Sequence, residues 1–250
     1  MRNPPARRPS RVELVGLRKR FGRREVLRQV DVCIHPARIT AIVGPNAAGK
    51  TTLIKSILGL VRRRPGEGAI VMDGVSLNGE YGYRERIGYM PQAAHFPEHL
   101  TGREVLDLLT GLREPTGSLD EELLDGFRLE PVLDQPVRTL SGGTRQKLNA
   151  VVAFLFRPSL LILDEPTAGL DPVAASILKD KVLRAPAEGA TVLLTSHLMG
   201  EVEELAQDLV FLLEGKVAYQ GTVANLLDQA GETRLERAMA RLLREAQGDQ

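Results

Sequence analysis

The chain of 250 residues has no tryptophan, a single cysteine, and aromatic residues at only 4% of its length. A lone Cys33 cannot close an internal disulfide, and without a CxxC pair or a Cys/His cluster no thiolate metal site is encoded; a reducing cytoplasm fits. Long apolar runs are missing too. The longest lies around Val151 to Phe156, far below the roughly 18 to 20 residues that span a bilayer, so the chain is not expected to cross a membrane alone. Neither charge dominates: 33 Lys and Arg against 32 Asp and Glu leave +1, a balance that does not call for nucleic acid or an anionic surface. The basic, proline-rich residues 1–10 lack the apolar segment of a secretory signal and are expected to form a disordered lead-in.

What is present is enough apolar residue, 43%, to fill a sizeable core. Short β-like segments run from Val12 to Val43, the last of them, RITAIV, leading straight into Gly44. Leu53, Ile54, Ile57 and Leu58 then share one helical stripe. After a second β-rich patch, Thr101 and Glu104 form a capping box, and the pattern is mainly helical to Arg157, where Pro158 ends it. Strand signals return at LLIL, TVLLT and DLVFLL, separated by helical stretches, which predicts a largely parallel α/β sheet with crossover helices. The expected organisation is a core from residues 11–91 and 159–224, a helical insert at 92–158, and a C-terminal amphipathic helix within 225–250.

GPNAAGKTT satisfies GxxxxGK[ST] between a strand and a helix. The loop Gly44, Pro45, Asn46, Ala47, Ala48 and Gly49 turns backbone N–H groups inward, and the helix start adds partial positive charge, a combination suited to β- and γ-phosphates. Lys50 neutralises them, Thr51 can ligate Mg²⁺ through its hydroxyl, and Thr52 continues the cradle. LLILDEP delivers Asp164 and Glu165 at the C-terminal end of a buried strand, where ligands bind in open α/β sheets. There Asp164 would hold Mg²⁺ through its water shell, and Glu165 would polarise the water that attacks a γ-phosphate.

The ordered set GPNAAGKTT, YMPQ, LSGGTRQKL, LLILDEP, AGLD and TSH closely resembles the nucleotide-binding subunits of ATP-binding cassette (ABC) transporters, over about Val12 to Thr222. That resemblance implies a RecA-like P-loop NTPase core with an antiparallel β subdomain and an inserted helical subdomain. It further implies a head-to-tail homodimer clamping two Mg-ATP, a separate integral membrane permease, and a place on the cytoplasmic face of the membrane. Carried over by position, Phe21 matches the aromatic that stacks on adenine, Gln92 the glutamine that senses Mg²⁺ and the γ-phosphate, and Asp171 and His197 the residues that link the two sites and contact the γ-phosphate. Each also has a local reading: a core ring for Phe21, a loop amide for Gln92, a helix cap for Asp171 and a solvated loop histidine for His197.

Ser141, Gly142 and Gly143 open a second glycine-rich helix. One γ-phosphate cannot be reached by both helix starts of one compact chain, whereas two chains can share it; in the family this start closes over the partner's ATP. Two positions depart from the family pattern: Ala47, usually glycine, and Thr144, usually glutamine. If Ala47 needs positive φ, alanine costs about 1 kcal/mol or more. The stretches GPNAAGKTTLIKSILGL, LSGGTRQKLNAVVAFLF and TSHLMGEVEELA are also similar to the ATPases of nitrous-oxide reductase maturation transporters, which implies copper- or sulfur-related transport and a periplasmic partner. An alternative of another class is a soluble ABC ATPase moving a protein or nucleic-acid partner without a permease. A GTPase switch is disfavoured because no NKxD base-reading motif occurs.

Overall fold

The computed structural model describes residues 11–79, 81–113 and 117–248; the lead-in at 1–10 lies outside them. The chain divides into two compact units, Met1–Tyr81 with Ala206–Gln250, and Gly82–Leu205.

The first unit contains a four-stranded antiparallel sheet in the order β2-β1-β4-β5. Its long hairpin pairs β1 (Val12–Phe21) with β2 (Arg24–Ile34), from Val12 opposite Ile34 to Phe21 opposite Arg24. The other members are β4 (Ala69–Met72) and β5 (Val75–Ser76). Within the same unit β3 (Ile39–Val43) runs parallel to β9 (Asp208–Leu213), which pairs antiparallel with β10 (Lys216–Thr222). Every residue of β3 is buried, and apart from Thr40 its sequence is apolar, as a strand covered on both faces requires. Helix α1 (Lys50–Ile57) follows, with Leu53, Ile54 and Ile57 fully buried, each worth about 1.5–3 kcal/mol of transfer free energy. Strand β10 carries no strong apolar signal in the sequence; it forms because Glu214 and Gly215, at φ 47° and 79°, make the left-handed turn that suits a hairpin.

That turn also frames the phosphate loop. Gly215 N donates to Ala48 O at 3.1 Å, Arg28 N donates to Gly215 O at 2.7 Å, and a Cβ on Gly215 would run into backbone, its nearest atom being Val26 O at 2.3 Å. The tail after Thr222 comprises two helices rather than one. Thr222 caps α7 (Val223–Ala230), left-handed Gly231 ends it, and α8 (Leu235–Gly248) buries Leu235, Ala238 and Met239.

The second unit holds three parallel strands, β6 (Ile87–Met90), β7 (Leu160–Asp164) and β8 (Thr191–Thr195), with β7 in the middle. The capping box at α2 (Gly102–Arg113) is reciprocal: Thr101 N donates to Glu104 Oε2 at 2.8 Å, and Glu104 N donates to Thr101 Oγ1 at 3.1 Å. Between α2 and β7 lie α3 (Glu122–Gly126) and α4 (Gly142–Phe154), with no strand between them among the described residues. Gly88 permits α4 to rest on β6, since a Cβ there would stand 2.0 Å from Ala153 O. Helices α5 (Pro172–Arg184) and α6 (Met199–Leu205) complete the unit. Lys181 of α5, buried, meets Asp120 at 2.8 Å and Glu122 at 2.7 Å, a charge cluster that ties α5 to the start of α3.

Candidate functional site

The first unit contains the loop whose spacing reads as a phosphate cradle. Gly44 and Gly49 bracket it, and neither can carry a side chain: a Cβ on Gly44 would meet Leu212 O at 2.2 Å, and one on Gly49, at φ 111°, would meet Leu27 Cδ2 at 2.8 Å. Gly49 is the N-cap of α1 and offers no side-chain acceptor, and the first turn holds no acid, so no side-chain cap or carboxylate of this turn serves the helix start. Lys50 folds back over the loop, Nζ donating to Gly44 O at 2.6 Å and to Pro45 O at 3.2 Å. Pro45, Asn46, Ala47 and Thr51 are exposed, and Thr52 is partly so. Ala47 sits at φ 66°, so the strain conditional in the sequence is present, at about 1 kcal/mol. Phe21 is 50% exposed at the end of β1 and is therefore not a core ring.

The second unit gathers the carboxylates. Asp164 ends β7, 6% exposed, and accepts from Thr195 Oγ1 at 2.5 Å. Glu165 follows at φ 53°, an uncommon left-handed setting for glutamate, held by its N–H donating to Thr195 O and Thr195 Oγ1, both at 3.1 Å. Its Oε2 lies 2.6 Å from His197 Nδ1 and also accepts from His197 N at 3.3 Å. The His197 side chain is 67% exposed while that of Glu165 is 11% exposed, so the histidine is solvated yet oriented by a specific partner.

Sequence reasoning missed Thr195. Its signal was a hydroxyl at the end of an otherwise apolar strand, immediately before SH, and the fold uses it to aim both acids.

Gln92 is exposed and lines a cavity of about 510 Å³ with Gly142, Arg145, Gln146 and Gly169. Ser141 is the N-cap of α4: its Oγ accepts from Thr144 N at 3.1 Å and lies 2.8 Å from Thr144 Oγ1. Thr144 thus engages Ser141 within its own turn. Gly143 sits where a Cβ would approach Gly169 O at 3.2 Å, and Gly142 opens to space. Asp171 caps α5, accepting from Ala174 N at 2.9 Å, and pairs with Lys147 at 2.7 Å. The Lys147 ammonium, then the Ala174 amide, hold its carboxyl below the usual aspartate range.

Phe21 and the loop from Gly44 to Thr52 belong to one unit; Gln92, Ser141, Gly142, Gly143, Asp164, Glu165, Asp171 and His197 belong to the other. Among the described residues no helix is long and apolar enough to cross a membrane.

Comparison with known proteins points one way. A family model described as "ABC transporter" matches residues 27–168. The daunorubicin resistance ATP-binding protein DrrA3 of Streptomyces coeruleorubidus is 35% identical over 227 residues, covering 88% of this chain and 71% of that protein. The phospholipid-transporting ATPase ABCA3 of Homo sapiens is 34% identical over 208 residues, 81% of this chain, but the chain spans only 12% of that protein. A solved ATP-binding subunit of an ABC transporter superposes with a TM-score of 0.84 at 33% identity, over 93% of this chain and 99% of that one. A dimeric ATP-binding cassette in a post-hydrolysis state, bound to ADP and Pi, gives 0.73 at 22% identity over 84% of this chain and 98% of that one, a likeness of fold.

Proposed function

The chain belongs to the ABC transporter family of ATP-binding cassettes, and from that premise we propose that it is the ATP-hydrolysing subunit of a transporter, two copies clamping two Mg-ATP to drive a separate membrane permease. The observation that carries the reading is Glu165, set at the end of a buried strand by Thr195 and touching His197 at 2.6 Å.

The loop Gly44–Thr52 fits a nucleotide because its glycines let backbone approach closely and its helix start carries neither a side-chain cap nor an acid to repel an anion. Phe21 offers an exposed ring to a base. Thr51, Asp164 and Gln92 are the residues that would hold Mg²⁺, which when bound neutralises charge on the phosphates. Glu165 orients the attacking water: the water oxygen bonds to the γ-phosphorus, the bond to the β–γ bridging oxygen breaks, and the water proton passes to the carboxylate side. With Nδ1 directed at Glu165, Nε2 is the His197 nitrogen left for a phosphate oxygen, and it donates there when the ring is protonated.

Ser141, Gly142 and Gly143 serve the nucleotide of the second copy, and Asp171 links the two sites. The solved dimeric cassette of the same fold supports this pairing, and the relative named for daunorubicin resistance supports a transport role. The permease docks near Gln92 and the segment AAHFPEHL, which places the chain on the cytoplasmic face of the membrane. On the three stretches similar to nitrous-oxide reductase maturation ATPases, we assign the transport to that setting, with copper- or sulfur-related cargo and a periplasmic partner.

Glu165→Gln tests the core of the reading. It is expected to bind ATP, slow turnover roughly 10²- to 10⁴-fold, and accumulate an ATP-dependent dimer by light scattering. Unchanged turnover moves the catalytic role elsewhere. Mixing Ser141→Arg chains with Lys50→Ala chains should rebuild one complete site in a heterodimer; absence of any rescued turnover refutes sharing across copies. Affinity capture from detergent extract should recover an integral membrane subunit, and recovery of soluble partners alone would instead favour the permease-free class.

A further inference from the structure

A cavity of about 640 Å³ in the first unit is lined by Arg20, Arg23, Arg24 and Arg28 together with the phosphate-loop segment 45–48, and its only carboxylates are Glu25 and Glu214. Three other cations of this unit are neutralised by a carboxylate. Arg11 pairs with Asp73, Lys19 with Glu67 and Arg38 with Asp208. Among the described residues, by contrast, no ion pair engages any of the four cavity guanidiniums. Four unpaired like charges on one wall repel each other until an anion arrives, and their field adds to that of the α1 start. The wall is well framed, because Arg24 and Arg28 lie four residues apart on β2, and Arg28 N is bonded to the turn that also holds Ala48.

We propose that these arginines form a cationic wall that takes the phosphate chain of the bound nucleotide, so that the site selects by phosphate charge and is indifferent to the base. The inference rests on the nucleotide reading of the Gly44–Thr52 loop and adds the determinant of selectivity. Guanidinium groups suit it because they present paired donors to phosphate oxygens and stay charged at every physiological pH. The one exposed aromatic of the hairpin, Phe21, is consistent with it, since ring stacking tolerates any base face.

The test measures equilibrium binding of ATP, GTP and inorganic tripolyphosphate to the full chain at low and moderate salt. Wild type should hold ATP and GTP within about threefold of each other, with affinity falling as salt rises. Arg24→Gln with Arg28→Gln should weaken all three ligands by a common factor of about tenfold and flatten the salt dependence. Glu25→Gln should act oppositely, tightening binding about two- to threefold. Unchanged binding in the arginine variant overturns the wall, as does a loss confined to ATP with tripolyphosphate untouched, which would mean base or sugar recognition. Lys50→Ala separates the two readings: if it loses nucleotide while the arginine variant does not, only the wall falls, and if it keeps nucleotide the loop itself has been misread.

Discussion

The two glycine-rich helix starts look alike in sequence and differ in how each treats its own first turn. At α1 the N-cap is Gly49, left-handed and without a side chain, and Lys50 lies back across the loop carbonyls. At α4 the N-cap is Ser141, extended at φ −62° and ψ 160°, and its hydroxyl already accepts from Thr144 N. The first, proposed to hold phosphate, has no side-chain cap and no acid in its first turn. The second is a capped helix that keeps Gly142 open beside the cap, while Gly143 lies close to Gly169 O. A helix start is therefore best judged as a phosphate site by what the chain leaves unsatisfied there, more than by its glycine count.

Substitutions can break that contrast in a graded series. Lys50→Ala removes the charge over the first start and should cost about a hundredfold in ATP affinity, read by displacement of a fluorescent nucleotide. Gly49→Ser would give α1 the kind of cap that α4 has, but its Cβ meets Leu27 and its backbone stands at φ 111°; a loss of about 2 kcal/mol in chemical denaturation is expected, with weakened nucleotide binding. Ser141→Ala should cost about 1 kcal/mol of stability through the lost cap, leave ATP affinity of the isolated chain unchanged and lower turnover of the pair. An equal loss of affinity in the isolated chain would erase the distinction between the two starts. Ala47→Gly relieves the left-handed alanine and should stabilise the protein by at most about 1 kcal/mol, the smallest effect, measured as a rise in denaturation midpoint.

Much of this site was legible because its chemistry is local. Gly44, Gly49, Lys50 and Thr51 lie within eight positions of one another, and strand, turn and helix follow from that spacing. The capping box at Thr101 and Glu104 was legible for the same reason, as was the cap at Asp171, whose local reading proves correct alongside its bond to Lys147. Strand β10 was not, since its exposed, alternating residues carry little apolar signal and it depends on pairing with β9. The break between α7 and α8 could have been read from Gly231, where a left-handed residue ends a helix.

By itself the sequence determined the backbone chemistry of the phosphate loop, the buried strands and the order of the motifs, because each depends on side-chain size and spacing over a few residues. Only the tertiary structure decided that Thr195 orients both Asp164 and Glu165, that His197 lies against Glu165 across 32 positions, and that four arginines share a wall with the loop. Those arrangements rest on the register of paired strands and the direction in which each chain leaves its strand, and no short stretch of sequence carries that information.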